Sequence, residues 1–150
     1  MYWYVILLAV GYLSMAIHEI GHGILVRMVG FNVLELHFGR PLIPGVISIA
    51  NINIRFGFPF GGRCCYRWTK SDKSTPHRLA IVSMGGWLAD LIVFFTLIKI
   101  TSGWSETNTY MYLIWLYMVF KVSIGISPLT SDGRKVFSYL LSCLHYWHSS

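Results

Sequence analysis

Three apolar runs constrain this chain more than any other feature. Tyr2 to Met15 carries no charged residue, Leu79 to Ile98 carries only Asp90, and Tyr110 to Ile126 carries only Lys121. With its flanks, each run approaches the roughly 20 residues that cross a bilayer as a helix. Charged residues make up 12% of the chain, about half the share usual in a soluble domain. The sequence therefore reads as one integral membrane domain over 1–150, with about three transmembrane helices.

Local signals divide the chain further. The first helix is expected from about Tyr2 to Met28, with Gly30 as its stop. The second follows Pro76 and runs to about Ile100. The third covers Tyr110 to about Ile126 and ends before Pro128, which disfavours helix in the preceding residue. Between the first two, VLELHF alternates Leu34, Leu36 and Phe38 against Glu35 and His37, and NINIRFGF alternates Ile52, Ile54, Phe56 and Phe58 against polar residues. Period-two alternation bounded by Gly and Pro signals strands. Gly57, Pro59, Gly61 and Gly62 then interrupt the pattern. In the tail, Val136, Phe137, Leu140, Leu141 and Leu144 recur near helical spacing, as in an interfacial amphipathic helix. The expected fold class is membrane all-α with a small β insert. It has a membrane-associated strand region (about 31–68) and a C-terminal amphipathic helix.

Charge orients this arrangement. Residues 29–78 hold seven Lys and Arg against Glu35 and Asp72, and Arg134 and Lys135 follow the third run. The positive-inside rule then puts the 29–78 segment and the C-terminus in the cytoplasm, with the N-terminus and the 101–109 loop outside. The net charge of +6 reads as topology and contact with an anionic lipid bilayer, with no nucleic-acid partner, because no basic helix or aromatic stacking module accompanies it. Cys64, Cys65 and Cys143 show no CxxC spacing and read as free thiols.

Polar residues inside an apolar helix demand partners, since an ionisable group within a span costs about 2.5 kcal/mol or more. The segment AIHEIGHGI breaks the first run with His18, Glu19 and His22. Positions four apart on a helix lie about 40° from one another around the axis. His18 and His22 can thus bind one cation through their imidazoles, while Glu19 flanks it as a base for a metal-activated water. Such a site needs a third protein ligand. His18 and His22 lie about 24–30 Å along the helix from Tyr2, and Asp132 is at a matching depth after the third run. Asp90 lies nearer mid-span, so Asp132 is the better ligand.

Four segments together resemble the site-2 protease family of intramembrane zinc metalloproteases. They are HEIGH in the first helix, FPFGGRCCY after it, SMGGWLADLIVFF in the next helix and SPLTSDGRKV after the third. The second is similar to the family's Pro-x-Gly-Gly strand, the third to its Gly-Pro-x-x-Asn stretch, and the fourth to the Asn-Pro…Asp-Gly motif that supplies the third zinc ligand. The resemblance implies one Zn2+ per chain held by His18, His22 and Asp132, with Glu19 as the catalytic base and acid. It also implies a substrate-binding region at Gly61, Gly62 and Asp90. Ser127 stands where the family usually has Asn, Trp87 replaces Pro, and Asp90 occupies the usual Asn position. An amide can donate to a substrate backbone and an ionised carboxylate cannot, so Asp90 would have to be protonated to donate, or else pair with Lys121.

The function expected on this reading is a zinc metalloendopeptidase acting on a membrane-embedded or membrane-associated protein or peptide. The small core and the resemblance suggest the bacterial plasma membrane. Two alternatives stay open: a catalytically silent metal-binding membrane chaperone or regulator, and a metal or proton transporter using Asp90, Lys121 and the histidines as a relay.

Overall fold

A computed structural model describes residues 2–40, 45–67, 75–101, 109–125 and 127–148. Among them the order is α1 (Tyr2–Met28), β1 (Asn32–Arg40), β2 (Ile47–Ile49), β3 (Ile52–Phe56), β4 (Phe58–Arg67), α2 (Thr75–Thr101), α3 (Thr109–Gly125) and α4 (Ser131–His148). Gly30 closes α1 with φ of 84°. Its N–H donates to the Arg27 carbonyl, and the Phe31 N–H donates to that of Val26. This pair of bonds satisfies the last helical carbonyls and turns the chain back towards its own helix.

The strands form one mixed sheet in the order β2-β3-β1-β4. β1 pairs parallel with β3 and antiparallel with β4. β2 and β3 make a hairpin in which Ile49 faces Ile52, and the two residues between them, Ala50 and Asn51, have φ of 49° and 64°. Positive φ at both central positions is the tight hairpin turn that matches strand twist. Alternation in β1 turns Leu36 and Phe38 inward, where they join Val26, Phe31, Val33 and Val82 in the core. The sheet runs alongside α1, and Tyr12 Oη donates to the Phe38 carbonyl at 2.9 Å.

α1 and α2 cross with almost no space between them. A Cβ at Gly85 would lie 2.6 Å from the Gly21 carbonyl oxygen, and one at Gly21 would come within 2.6 Å of the Ala89 Cβ. Paired glycines let apolar helices approach to backbone contact. α3 is tied to α2 by Trp87, whose Nε1 donates to the Val122 carbonyl at 3.1 Å.

The expected membrane all-α fold with three spans needs correction. The described residues hold four helices and a four-stranded mixed sheet. Two helices, Tyr4–Met28 and Pro76–Thr101, are long and apolar enough to cross a membrane. α3 is apolar but has 17 residues, about 25 Å at 1.5 Å per residue, against a hydrocarbon core of about 30 Å. The strands, from Asn32 to Arg67, fall within the expected strand region of about 31–68. β4 runs unbroken through Pro59, Gly61 and Gly62, because an edge strand tolerates a proline that lacks a donor. The 101–109 loop, on which part of the topology rested, lies outside the described residues from 102 to 108.

Polarity is distributed in reverse of a water-soluble bundle. Val5, Leu8, Leu13, Ile92, Phe95, Leu116 and Phe120 are more than half exposed, whereas Ser14, Glu19, His22, Ser83 and Asp90 are buried.

Candidate metal centre

The helix period puts His18 and His22 one turn apart on α1, and the Gly21–Gly85 crossing brings α2 against that face. Gly86 makes the room. A Cβ there would collide with the ring of His18 and lie 2.5 Å from His22 Nε2. Asp132 arrives from the first turn of α4. Thr130 caps that turn, its Oγ1 accepting the Gly133 N–H at 3.0 Å, and Gly133 continues the helix.

Three donor atoms converge. His22 Nε2 lies 3.2 Å from His18 Nε2, and Asp132 Oδ2 lies 3.1 Å from His22 Nε2 and 3.9 Å from His18 Nε2. Donors about 2.0–2.1 Å from a tetrahedral zinc ion are roughly 3.3 Å apart; the 3.2 and 3.1 Å spacings match the edges of such a shell, and the 3.9 Å spacing is longer.

Hydrogen bonding behind the rings sets which nitrogens face inward. His22 Nδ1 is 2.7 Å from the Val82 carbonyl, which can only accept, so that nitrogen carries hydrogen. His18 Nδ1 is 2.7 Å from Asp90 Oδ2 and donates to the carboxylate. Neutral imidazoles held in this way turn both Nε2 lone pairs towards each other and towards an anionic oxygen. The cluster repels itself unless a cation or proton lies between the donors, and its His2Asp composition fits zinc. Where a proton occupies the cluster, the hydrogen bonds that the His18 and His22 rings then donate outweigh the upward push of burial and hold the Asp132 carboxyl well below the usual carboxylate range.

Glu19 is 6% exposed and forms a wall shared by two clefts. One, of about 480 Å³, is lined by Leu8, Tyr12, Met15, Gly61 and Tyr117. The other, of about 380 Å³, is lined by His22, Arg63, Tyr66, Asp132 and Lys135. Apolar and polar approaches therefore meet at one carboxyl.

His18, Glu19, His22 and Asp132 stand together, with Gly61 and Gly62 on β4 beside Glu19 in the first cleft. Asp90 stands behind His18: it is 0% exposed, one oxygen bonded to His18 and the other to Lys121. Sequence reasoning left Asp90 either protonated or paired with Lys121, and the structure brings the two together. In the sequence, Gly86 stood only as the Gly of the stretch similar to Gly-Pro-x-x-Asn. Glu35, His37 and Cys65 also converge on the sheet. There the Glu35 carboxylate is already engaged by His37 and Arg55, which lower its pKa.

Compared with known proteins, the chain matches no family model, no curated protein and no solved structure.

Proposed function

We propose that this chain is a zinc-dependent intramembrane endopeptidase of the site-2 protease type. The observation that carries the reading is the convergence of His18 Nε2, His22 Nε2 and Asp132 Oδ2 with the Glu19 carboxyl beside them. Within the fold class described, α1 and α2 provide the apolar helices that the reading needs. The basic 29–78 segment would face the cytoplasm, with the site towards that side, in a bacterial plasma membrane.

When bound, zinc would be held by His18, His22 and Asp132 and would supply Lewis acidity that polarises a carbonyl and makes water acidic near neutral pH. Glu19 takes a proton from water on one carboxyl oxygen and returns it to the leaving nitrogen of the cut peptide bond. Its position between an apolar and a polar cleft suits that role, with a membrane polypeptide entering along Leu8, Tyr12 and Met15 and water entering past Arg63 and Lys135. β4 offers an edge to an extended substrate beside Gly61 and Gly62, since a helical substrate hides its carbonyls and must unwind.

The test compares wild type with Glu19→Gln in membranes. Zinc should stay near one per chain while cleavage of a co-expressed membrane substrate disappears. Retained zinc with processing unchanged would refute the hydrolytic reading and favour a silent metal binder. Zinc flux across vesicles that is insensitive to Glu19 would favour a transporter.

A further inference from the structure

Asp90 sits in an apolar helix with no exposed surface, where a lone carboxylate is costly. Its environment accounts for both oxygens. Oδ2 accepts from His18 Nδ1 at 2.7 Å, and Oδ1 accepts from Lys121 Nζ. Lys121 in turn donates to the Ser14 carbonyl at 3.0 Å and to Ser14 Oγ at 2.7 Å. An ammonium has three donors, and each has an acceptor here. Ser14 and His18 are one turn apart on α1, so the chain of bonds closes between α1, α2 and α3 through four side chains.

The two metal-facing histidines are consequently held in different ways. A neutral backbone carbonyl orients His22, and a carboxylate with its own counter-charge orients His18. A carboxylate behind an imidazole fixes the tautomer, restricts the ring and makes the opposite nitrogen a better donor. An amide in the same place could accept the bond but would carry no charge, and it would leave Lys121 with only the neutral acceptors of Ser14.

We propose that Asp90 and Lys121 act as one charge pair that positions His18 for the metal, with Asp90 as the positioning residue and Lys121 as the cation that lets it remain charged within apolar helices. Asp90 then has no part in contacting substrate. The inference rests on the metal reading of His18, His22 and Asp132 and is independent of whether the site hydrolyses peptides.

The pair makes a separable experiment. Removing one partner strands the other charge, so Asp90→Leu and Lys121→Met alone should each unfold at lower temperature than the double variant. The full-length chain in detergent micelles, titrated with zinc against a chromophoric chelator, gives the decisive comparison. Asp90→Leu with Lys121→Met should fold near wild-type temperature yet bind zinc about 10–100-fold more weakly. Asp90→Asn with Lys121→Met, which restores an acceptor behind His18, should recover part of that loss. Co2+ substituted for zinc should show a visible spectrum altered in the apolar double variant.

A double variant with wild-type zinc affinity and an unchanged Co2+ spectrum would overturn the proposal and leave a helix–helix pair only. A wild-type chain that binds no zinc, or binds it equally well after His22→Ala, would overturn the metal reading itself. Should the double variant fail to fold, 15N spectra of the wild-type histidine rings decide the matter. His18 should carry hydrogen on Nδ1, and an Nδ1 without hydrogen would overturn the proposal.

Discussion

Gly62 of β4 lies directly against the carboxyl of Glu19: a Cβ at position 62 would sit 2.5 Å from Glu19 Oε1 and 2.6 Å from its Cγ. The strand and the Glu19 carboxyl thus fix each other's position. Gly62→Ala should push the carboxyl aside without touching the three metal donors. Displacing a reacting group by about 1 Å can cost roughly 100-fold in rate, so cleavage should fall by about that factor. Zinc content should stay at the wild-type level. Equal loss of zinc and cleavage would mean that Gly62 supports the metal shell instead.

Three glycines near the helix crossing should respond differently to alanine. At Gly86 the added methyl would meet the His18 and His22 rings, so Gly86→Ala should abolish zinc binding. At Gly21 it would meet the Gly85 backbone and Ala89. Overpacking there should cost about 1–3 kcal/mol in thermal or denaturant unfolding. At Gly23 the nearest neighbour would be Leu36 Cδ2 at 3.6 Å, an ordinary contact. Gly23→Ala should therefore be neutral, or stabilise by up to about 1 kcal/mol through helix propensity. A Gly23 variant as damaging as the Gly21 variant would contradict the crossing described.

Much of the donor set could be read without tertiary information. The 3.6-residue period put His18 and His22 on one face, and the lengths of the apolar runs put Asp132 at a matching depth. Asp90 was harder, because depth says nothing about rotation. Its direction towards His18 follows from how closely Gly21 and Gly85 allow α2 to approach. The span count failed at α3, whose composition resembles a membrane helix but whose length falls short. The strand region was legible, but not how β4 passes its breakers: Pro59 and Gly61 fall where the β1–β4 register shifts between Gly62 and Phe58, an irregularity that an edge strand absorbs.

Asp132 depends on the helix that carries it. Thr130 accepts the Gly133 N–H through its hydroxyl and so satisfies one of the unpaired donors of the first turn of α4. Losing an N-cap hydroxyl costs about 1 kcal/mol. Thr130→Ala should loosen this turn, seen as faster hydrogen exchange at Gly133, and should weaken zinc binding. Thr130→Ser should retain both properties. Unchanged exchange in the alanine variant would separate the cap from the order of Asp132.

The thiols provide a test of the sheet that does not involve the metal. Cys64 packs against the core, and burial, together with the nearby Glu19 charge, pushes its thiol up to about 12. Burial raises Cys65 as well, whereas Cys143 on α4 is exposed. The thiolate is the reactive species, so at pH 8 a thiol near 12 is ionised in only about one molecule in 10⁴. Iodoacetamide at pH 8 followed by peptide mass mapping should label Cys143 first and Cys64 last. The sign of the pH effect follows from the raised value. The folded state keeps the Cys64 proton to higher pH than the unfolded chain, so this contribution to stability is present below the ordinary thiol range and is lost as pH rises towards 12. Labelling of Cys64 should accelerate along that same rise. Labelling as fast as Cys143 at pH 8 would place Cys64 on the outer face of β4 and reverse the alternation of that strand.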